Sequence, residues 1–433
     1  MRSRHLAVVS AVVLVVATLA GCSGGSSGSS ASKKLVVWVD NVRTPGVQQY
    51  AKAHPDADVQ VVTIPKTPGY LQSKIGLAKR AGSGVPDVVF LNTPADIAAL
   101  ASAPLNYAAP LDALIGKDTR SGFAAGALAG CTFGGKTYCL RNDIGQSVLW
   151  YDKTLMAKFG YDVPKTWAEY QALGKRVAKA HPGYVIGEFY GKPGAEVYFD
   201  SSGCPTRTVT AARSVTIDTA DAACTRVADI LQPLVANKSV STLDQADPAF
   251  VKIGTRNKIL MMPGASWYGD FLFKPTYKTP KGQLAAAPLP TWPGDTEPRT
   301  SSVGGGMFAV SKTDEGAKLA AAYGLVKWLT TDVGYQKTQP TYPAFKPAAR
   351  AWCEAKATDA FYAADPCPVL TREASLLRET QGMISFQPEW IDTFNRTVVA
   401  AARSGTSLRA GLAGWGEKLN AAAKNAGYTV SSS

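Results

Sequence analysis

The chain has 433 residues, of which 46% are hydrophobic and 18% are charged. This length predicts a large two-lobed protein or about three domains, and the balance of residue types excludes both a wholly disordered chain and a polytopic membrane protein. The 46 basic and 33 acidic residues give a net charge of +13. That excess of positive charge would suit nucleic acid, anionic envelope polymers or acidic ligands.

The first 21 residues have the pattern of an export signal. Arg2 and Arg4 precede an uncharged run over 6–20, which is shorter than the roughly 20 apolar residues that span a bilayer. We therefore predict a signal peptide over 1–21. The run ends Leu-Ala-Gly-Cys, which resembles the lipobox of bacterial lipoproteins, and this resemblance implies that Cys22 carries a lipid. The small residues at 23–32 predict a flexible linker, and the lipidated Cys22 and this linker together are assigned to 22–33.

Strands and helices alternate through the rest of the chain. Apolar runs of strand length are found at 34–40, 59–64, 87–91, 147–152, 184–189, 258–262 and 284–289. Helical patterns are found at 45–53, 70–81, 166–180, 218–236, 314–329, 373–377, 389–403 and 407–426. The early β–α–β–α–β alternation predicts an α/β fold with a parallel sheet and right-handed crossovers.

Polar residues follow the first and third predicted strands. Asp40 and Asn41 come after the first, and Asn92 and Thr93 come after the third. Ligands of such folds bind at the carboxyl ends of the parallel strands, so these residues are expected at a ligand edge. Turn formation and helix capping are the alternative roles for each of them.

Six further cysteines fall in close pairs along the chain. The pairs are Cys131 with Cys139, Cys204 with Cys224, and Cys353 with Cys367. An exported protein meets an oxidising compartment and short loops close easily, so we expect these three bridges among the 15 possible connectivities. Zinc binding is less favoured because the chain has no Cys-x-x-Cys and only His54 and His181 outside the leader.

A series of short motifs runs through the chain in a fixed order. They include Gly-Val-Pro-Asp-Val-Val-Phe-Leu-Asn at 84–92, Pro-Lys-Thr-Trp-Ala-Glu-Tyr at 164–170 and Pro-Gly-Ala-Ser-Trp-Tyr at 263–268, with further matches at 135–138, 149–155, 287–290, 304–306, 388–390 and 404–408. From about Lys34 to the end, the sequence resembles the solute-binding proteins of ABC importers, the family of maltose-type and other sugar-binding lipoproteins.

The resemblance implies a type II periplasmic-binding-protein-like fold. Two α/β lobes would be joined by hinge crossings and close around a ligand in the cleft between them. Lobe 1 is expected over 34–143 plus 308–345, and lobe 2 over 144–307 plus 346–433. The implied molecule is a monomeric receptor without a cofactor or a nucleic-acid partner. It would be anchored by its lipid to the outer face of the cytoplasmic membrane and deliver a sugar to a permease with a separate ATPase.

The resemblance also implies which residues contact the sugar. Flat aromatic side chains suit the apolar faces of a sugar; Trp267 and Tyr268 match the family's second-lobe stacking segment, and Trp390 matches its late stacking tryptophan. Core packing is the alternative for all three. Polar or backbone contacts are expected from Asp40, Asn41, Arg43, Asn92, Thr93, Asn142, Asp143, Glu188, Tyr190 and Gly305. Arg43 could instead be a solvated residue at a helix start.

Other functions have weaker support in the sequence. Residues 130–137 match a P-loop pattern, but a real P-loop links a strand to a helix, and the cysteines at either end favour a hairpin here. A glycoside hydrolase would need a pair of carboxylates, and no motif singles one out. A binding protein for an anionic solute or a polyamine stays open, because the net charge fits an anion while no cluster of basic or acidic residues marks the predicted cleft.

Overall fold

The computed structural model describes residues 34–67, 69–211, 213–377, 384 and 386–432. The predicted signal peptide, Cys22 and the linker lie outside these residues. The strands are β1 Leu35–Val39, β2 Val59–Thr63, β3 Val88–Leu91, β4 Thr132–Phe133, β5 Lys136–Thr137, β6 Leu140–Arg141, β7 Ser147–Asp152, β8 Gly187–Glu188, β9 Thr208–Ala211, β10 Ser214–Thr216, β11 Val240–Ser241, β12 Met261–Ala265, β13 Leu284–Ala287, β14 Met307–Val310 and β15 Thr429–Ser431.

The helices cover the sheets and the crossings. They are α1 Thr44–Ala53, α2 Tyr70–Ala81, α3 Pro94–Ala101, α4 Lys117–Gly122, α5 Lys153–Phe159, α6 Trp167–Ala180, α7 Gly191–Ala195, α8 Ala222–Ala236, α9 Pro248–Thr255, α10 Gly316–Thr331, α11 Val333–Gln336, α12 Lys346–Lys356, α13 Cys367–Leu376, α14 Gln387–Phe394, α15 Ala400–Ser404 and α16 Leu408–Asn425. Wider π-helical turns lie at Glu196–Asp200, Gly269–Phe273 and Asn395–Val399, and a 3-10 turn lies at Ala129–Cys131. None of the helices in the described part of the chain is long and apolar enough to cross a membrane.

A five-stranded sheet in the order β2-β1-β3-β14-β6 forms the first half of the fold. Strand β1 pairs in parallel with β2 and β3, as the alternation of strands and helices predicted, while β14 runs antiparallel to β3 and β6. Because β14 is reversed, its first residue, Met307, lies opposite Leu91 at the end of β3. The segment before β14 therefore reaches the same edge as Asp40 and Asn92.

The sheet of the second half is antiparallel, which the alternation of elements did not indicate. Its central strand β7 is flanked by β12 and β13, both antiparallel to it. All five residues of β12 are buried and so are most of β7, because helices cover both faces. Helix α6 begins where predicted, with a capping box in which Thr166 Oγ1 accepts from the Glu169 backbone N–H. This arrangement places 263–268 and 142–147 side by side.

Two neighbouring segments join the halves. The first, 142–146, follows β6 and leads into β7; the second, 301–306, leads into β14. They are paired to each other through backbone hydrogen bonds, from the Asn142 N–H to the Gly306 carbonyl at 2.8 Å and from the Val303 N–H to the Gly145 carbonyl at 2.8 Å. We call 142–146 the first crossing and 301–306 the second crossing.

All three predicted disulfide bridges are formed, with Cα–Cα distances of 4.6 to 5.5 Å. The bridge between Cys131 and Cys139 encloses the β4–β5 hairpin, whose turn is Gly134-Gly135 with φ values of 56° and 77°. Positive φ is readily adopted by glycine. The P-loop-like segment is thus a pinned hairpin and does not open a helix, in agreement with the sequence-based interpretation.

Candidate functional site

Asp40 and Arg43 form a buried ion-pair network at the end of β1. Asp40 is 3% exposed and accepts hydrogen bonds from the backbone N–H groups of Val42 and Arg43. Arg43 Nη1 lies 3.2 Å from Asp40 Oδ2, and its Nη2 lies 3.4 Å from Asp143 Oδ1 in the first crossing. The Arg43 guanidinium also lies 4.2 Å from the centre of the Phe90 ring. Arg43 is therefore not the solvated residue that the alternative interpretation described.

The first crossing continues this network. Asn142 donates to Asp143 Oδ1 at 2.7 Å and accepts from Gln336 Nε2 at 2.9 Å. The backbone N–H of Gly306 donates to the same Asp143 oxygen at 3.1 Å. The structure thus brings Asp40, Asn142 and Asp143 together, and their polar atoms are largely bonded to one another. Their visible role is to fix the two crossings against the edge of the first sheet.

Gly305 lies at the tightest point of the second crossing. Its φ is 94°, and a Cβ atom added there would lie 2.3 Å from Arg141 Nη2 and 2.9 Å from the Asp143 carbonyl oxygen. Glycine is thus required both by the backbone conformation and by the space. At the neighbouring Gly304, an added Cβ would lie 3.8 Å from the Asn92 carbonyl oxygen and 3.9 Å from Lys192 Nζ. Residues of both halves therefore meet at Gly304.

Trp267 contacts the same crossing from the second half. Its Nε1–H donates to the Val303 carbonyl at 3.0 Å, and the side chain is only partly buried. Asn92 is exposed beside Gly304, Thr93 is half-buried next to it, and Asn41 is exposed at the end of β1. Trp267 and Asn92 thus converge on 303–304 from opposite halves of the chain.

Tyr268 and Glu188 are enclosed by the second half. Tyr268 is fully buried, and its ring lies where a side chain on Gly264 would be, 2.1 Å from the added Cβ. Glu188 is 3% exposed, and burial raises the pKa of its carboxyl well above the usual range. Its Oε2 accepts from the backbone N–H of Tyr190, which is half-buried. Neither Tyr268 nor Glu188 has an open face in this structure.

Trp390 is also fully buried, between two side chains. The Arg207 guanidinium lies 3.8 Å from the centre of the Trp390 ring, and the Trp415 ring lies 5.4 Å away. Trp415 Nε1 donates to the Trp390 carbonyl at 3.2 Å. An arginine covers the ring that the resemblance had assigned to sugar stacking.

Sequence reasoning did not single out a charged cluster near the second crossing, formed by Lys192, Glu196, Asp200 and Arg207. Lys192 Nζ lies 4.0 Å from Glu196 Oε1, and Arg207 Nη2 lies 2.5 Å from Asp200 Oδ2. Burial raises the pKa of Glu196 to about 7, although Lys192 and Arg207 both lower it. A signal was present in the sequence, because residues 192, 196 and 200 are four apart and so share a helical face.

No three His, Cys, Asp or Glu side chains of the described residues converge in the way that a metal ion would need. The candidate site therefore combines a partly exposed indole, amides at the strand ends, and buried ion pairs around the two crossings, the second of which is glycine-rich. Such a set orients a polar ligand between two apolar or aromatic surfaces. Together with the fold, this set of residues indicates the class of binding proteins.

The family comparison agrees with this class. Residues 39–336 match the model of the bacterial extracellular solute-binding proteins. The chain belongs to that family, which confirms the resemblance found in the sequence. Its relatives are binding proteins of transporters and not enzymes, which confirms the prediction of a non-enzymatic role.

Individual relatives are more distant. The arabinooligosaccharide-binding protein of Bacillus subtilis (strain 168) is 31% identical over 137 residues, and the match spans 31% of each chain. Among solved structures, the ABC-transporter-associated binding protein of B. animalis subsp. lactis Bl-04, in complex with β-1,6-galactobiose, has a TM-score of 0.74 at 21% identity, with 92% of this chain and 99% of that chain covered.

A second solved structure gives the same result. The galacto-N-biose/lacto-N-biose I-binding protein of Bifidobacterium longum, in complex with lacto-N-biose, has a TM-score of 0.76 at 20% identity, with 92% of this chain and 98% of that chain covered. At these identities the likeness is one of fold. It confirms the predicted two-lobed class of the binding proteins.

Proposed function

We propose that this protein captures a sugar or short oligosaccharide between its two halves and delivers it to the permease of an ABC importer that is driven by a separate ATPase. The observation that carries the proposal is the convergence of Trp267 and Asn92 on residues 303–304 of the second crossing. An indole and amide groups at one place match the apolar faces and the hydroxyl rim of a sugar. The β-1,6-galactobiose and lacto-N-biose bound by the solved relatives support the same ligand class.

The ligand contacts that we propose are the accessible members of the predicted set. Trp267 supplies the platform, and Asn41, Asn92 and Thr93 supply hydrogen bonds from the first half. Asp40, Arg43, Asn142 and Asp143 act behind them, holding the crossings and orienting the edge of the sheet. In a dry cleft an unmatched polar group costs about 1 to 3 kcal/mol, which gives the site its selectivity.

Closure is proposed as a hinge motion of two lobes, 34–143 plus 308–345 and 144–307 plus 346–433. A ligand with contacts on both lobes stabilises the closed form. The paired crossings support this division, because they are short segments through which the two sheets are connected. The permease would then bind the closed form.

A screen of solutes tests the function. We expect β-1,6-galactobiose, lacto-N-biose, maltose or arabinotriose to raise the thermal unfolding temperature of the mature chain, and the sugar to be recovered unchanged. Spermidine and glucose 6-phosphate serve as the polyamine and anionic alternatives. If only spermidine or only glucose 6-phosphate raises the unfolding temperature, the protein binds that class of solute and not a sugar. Cleavage of a sugar would indicate a hydrolase.

The lipid anchor is a separate proposal that rests on the Leu-Ala-Gly-Cys sequence before residue 23. Acyl chains contribute about 0.8 kcal/mol per buried methylene, so two or more of them hold a protein at a membrane. We expect C22A, expressed in a bacterium that processes lipoproteins, to move from the membrane fraction to the medium or the soluble fraction, while S23A stays with the membrane. Membrane retention of C22A would contradict the anchor.

A further inference from the structure

Four charged side chains form a cluster in the second half. It consists of Lys192, Glu196, Asp200 and Arg207, which we call the wall cluster. Arg207 Nη2 lies 2.5 Å from Asp200 Oδ2 and 3.9 Å from Glu196 Oε1, and Lys192 Nζ lies 4.0 Å from the same Glu196 oxygen. The Arg207 side chain is 6% exposed. Two basic and two acidic side chains thus lie together, largely shielded from bulk water.

The wall cluster borders the second crossing. Lys192 Nζ lies beside Gly304, and a hydrogen bond from the Gly304 backbone is among the causes that lower the pKa of Glu196. The charge of Lys192 also acts on Asp96, at the start of α3 in the first half, where it lowers the pKa of a carboxyl that burial raises. Lys192 and Glu196 therefore place one end of the cluster where the two halves meet.

The pairing of Arg207 with Asp200 leaves one hydrogen-bonding atom of each side chain without a partner among the described residues. Only Nη2 and Oδ2 form the short contact, whereas an arginine and a carboxylate commonly pair through two parallel hydrogen bonds. Arg207 Nη1 and Asp200 Oδ1 are buried and have no hydrogen-bond partner within the described residues, and the same is true of Trp390 Nε1. Buried polar groups are almost always bonded, so three such atoms around one guanidinium indicate a place for a ligand.

Arg207 is held there by a hairpin that a disulfide closes. Cys204 and Cys224 are bridged on either side of it, and strands β9 and β10 follow Arg207 directly. Arg226 Nη2 donates to the Ser202 carbonyl at 2.5 Å, which ties the base of the hairpin to α8. The position of Arg207 over Trp390 thus depends on the β9–β10 hairpin, which the Cys204–Cys224 disulfide closes.

We propose that Arg207, Asp200 and the Trp390 N–H form a subsite for two neighbouring hydroxyl groups of an uncharged sugar residue. A hydroxyl both donates and accepts, so one can accept from Arg207 Nη1 while its neighbour donates to Asp200 Oδ1. An acidic sugar is excluded because the Asp200 carboxylate already pairs with the Arg207 guanidinium and would repel a second negative charge. This subsite rests on the proposed function. Arg207 Nη1 and Asp200 Oδ1 are both buried in this structure. The ligand therefore reaches them when the halves open, and the halves then close around it.

Isothermal titration with the sugar that gives the largest thermal shift tests the subsite. R207K keeps the charge and removes Nη1, and we expect at least tenfold weaker binding, equal to about 1.4 kcal/mol. R409K is the matched control, because Arg409 also pairs with a carboxylate, that of Asp229, at an exposed surface and takes no part in holding the hairpin. It should bind within threefold of the wild type. Equal affinity of R207K and wild type would overturn the subsite.

Two measurements on the wild type keep the test independent of folding of the variants. Monodeoxy analogues of the same sugar should lose at least tenfold in affinity at two adjacent positions, and digalacturonic acid should not bind. Uniform affinities across the analogues, or tighter binding of digalacturonic acid, would overturn the subsite while the receptor function stands. If no sugar binds the wild type, the proposed function itself fails.

The closure of the hairpin gives one more comparison. C204S/C224S releases the hairpin, and C353S/C367S removes a bridge elsewhere in the second half. Among variants that keep a cooperative thermal transition, we expect the first to bind at least tenfold more weakly and the second to bind like the wild type. Equal binding by both would show that the hairpin does not position Arg207.

Discussion

Trp267 is the single side chain from which the largest effect on binding is expected. It is partly exposed at the second crossing, and its Nε1–H is bonded to the Val303 carbonyl. W267A removes the platform, and we expect affinity for the bound sugar to fall by at least about tenfold. W267F keeps an aromatic face and should lose less. Titration calorimetry measures both.

The control for Trp267 is Trp328, another half-buried indole. It stacks on Tyr335 at 5.0 Å on helix α10 and not at the crossings. W328F should leave the affinity unchanged within error. A W267A protein that folds and binds as tightly as the wild type would show that this indole is not part of the site.

Three buried acids make stability depend on pH. Burial raises the pKa values of Glu196, Asp314 and Glu373 to about 7, and nearby Asp87 adds to the effect at Asp314. In the unfolded chain these carboxyl groups lose their protons at about pH 4 to 4.5. Between that pH and about 7, the folded protein therefore binds more protons than the unfolded chain. The free energy of unfolding therefore falls as the pH rises through about 7.

We expect the thermal unfolding temperature to be lower at pH 8.5 than at pH 6, with about 1 to 4 °C of the decrease removed in E196Q. The exposed Glu354 provides the control, and E354Q should keep the whole decrease. An unfolding temperature that rises between these pH values would contradict the direction of the three shifts. Scanning calorimetry in matched buffers gives the answer.

The second crossing depends on having a glycine at position 305. Alanine there would combine a φ of 94° with contacts of 2.3 Å to Arg141 Nη2 and 2.9 Å to the Asp143 carbonyl. Strain of this kind costs about 1 to 3 kcal/mol before the clash is counted. We expect G305A to unfold at a lower temperature and to bind its sugar more weakly.

Gly282 separates strain from crowding. Its φ is 73°, and an added Cβ would meet nothing within 4 Å. G282A should therefore lower the unfolding temperature less than G305A and leave binding intact. Equal effects of the two substitutions would mean that the close packing at the second crossing is unimportant.

At the scale of helices and strands, the sequence correctly predicted those elements whose bounds are set by local patterns. The first three strands, helix α2 and the start of α6 at Thr166 are close to their predicted bounds, because apolar periodicity and capping act locally. The antiparallel pairing of β7 with β12 and β13 was missed, because pairing direction depends on distant segments. The three disulfides were found because their short spacings left little ambiguity.

The candidate site was only partly predictable. Residues at strand ends, such as Asp40 and Asn92, follow from topology, and Trp267 follows from the motif. The burial of Tyr268 and the covering of Trp390 by Arg207 depend on contacts between segments far apart in the chain. A motif fixes where a residue lies in the sequence, but packing decides which of its faces stays open.

At the scale of the whole molecule, we propose that the binding site and the hinge are the same place. The two crossings carry the sheets of both halves, and Trp267, Asn92 and Lys192 all lie against the second of them. A ligand bound there touches the segments that must bend when the halves move. Under this proposal, binding energy is coupled directly to closure.

The most direct test of this coupling is a crystal structure of the mature chain with the sugar that gives the largest thermal shift. We predict that the sugar lies between the halves, with one face on the Trp267 indole and hydroxyl groups within hydrogen-bond distance of Asn92. A sugar bound outside the crossings, or one that contacts a single half of the chain, would contradict capture between the two lobes.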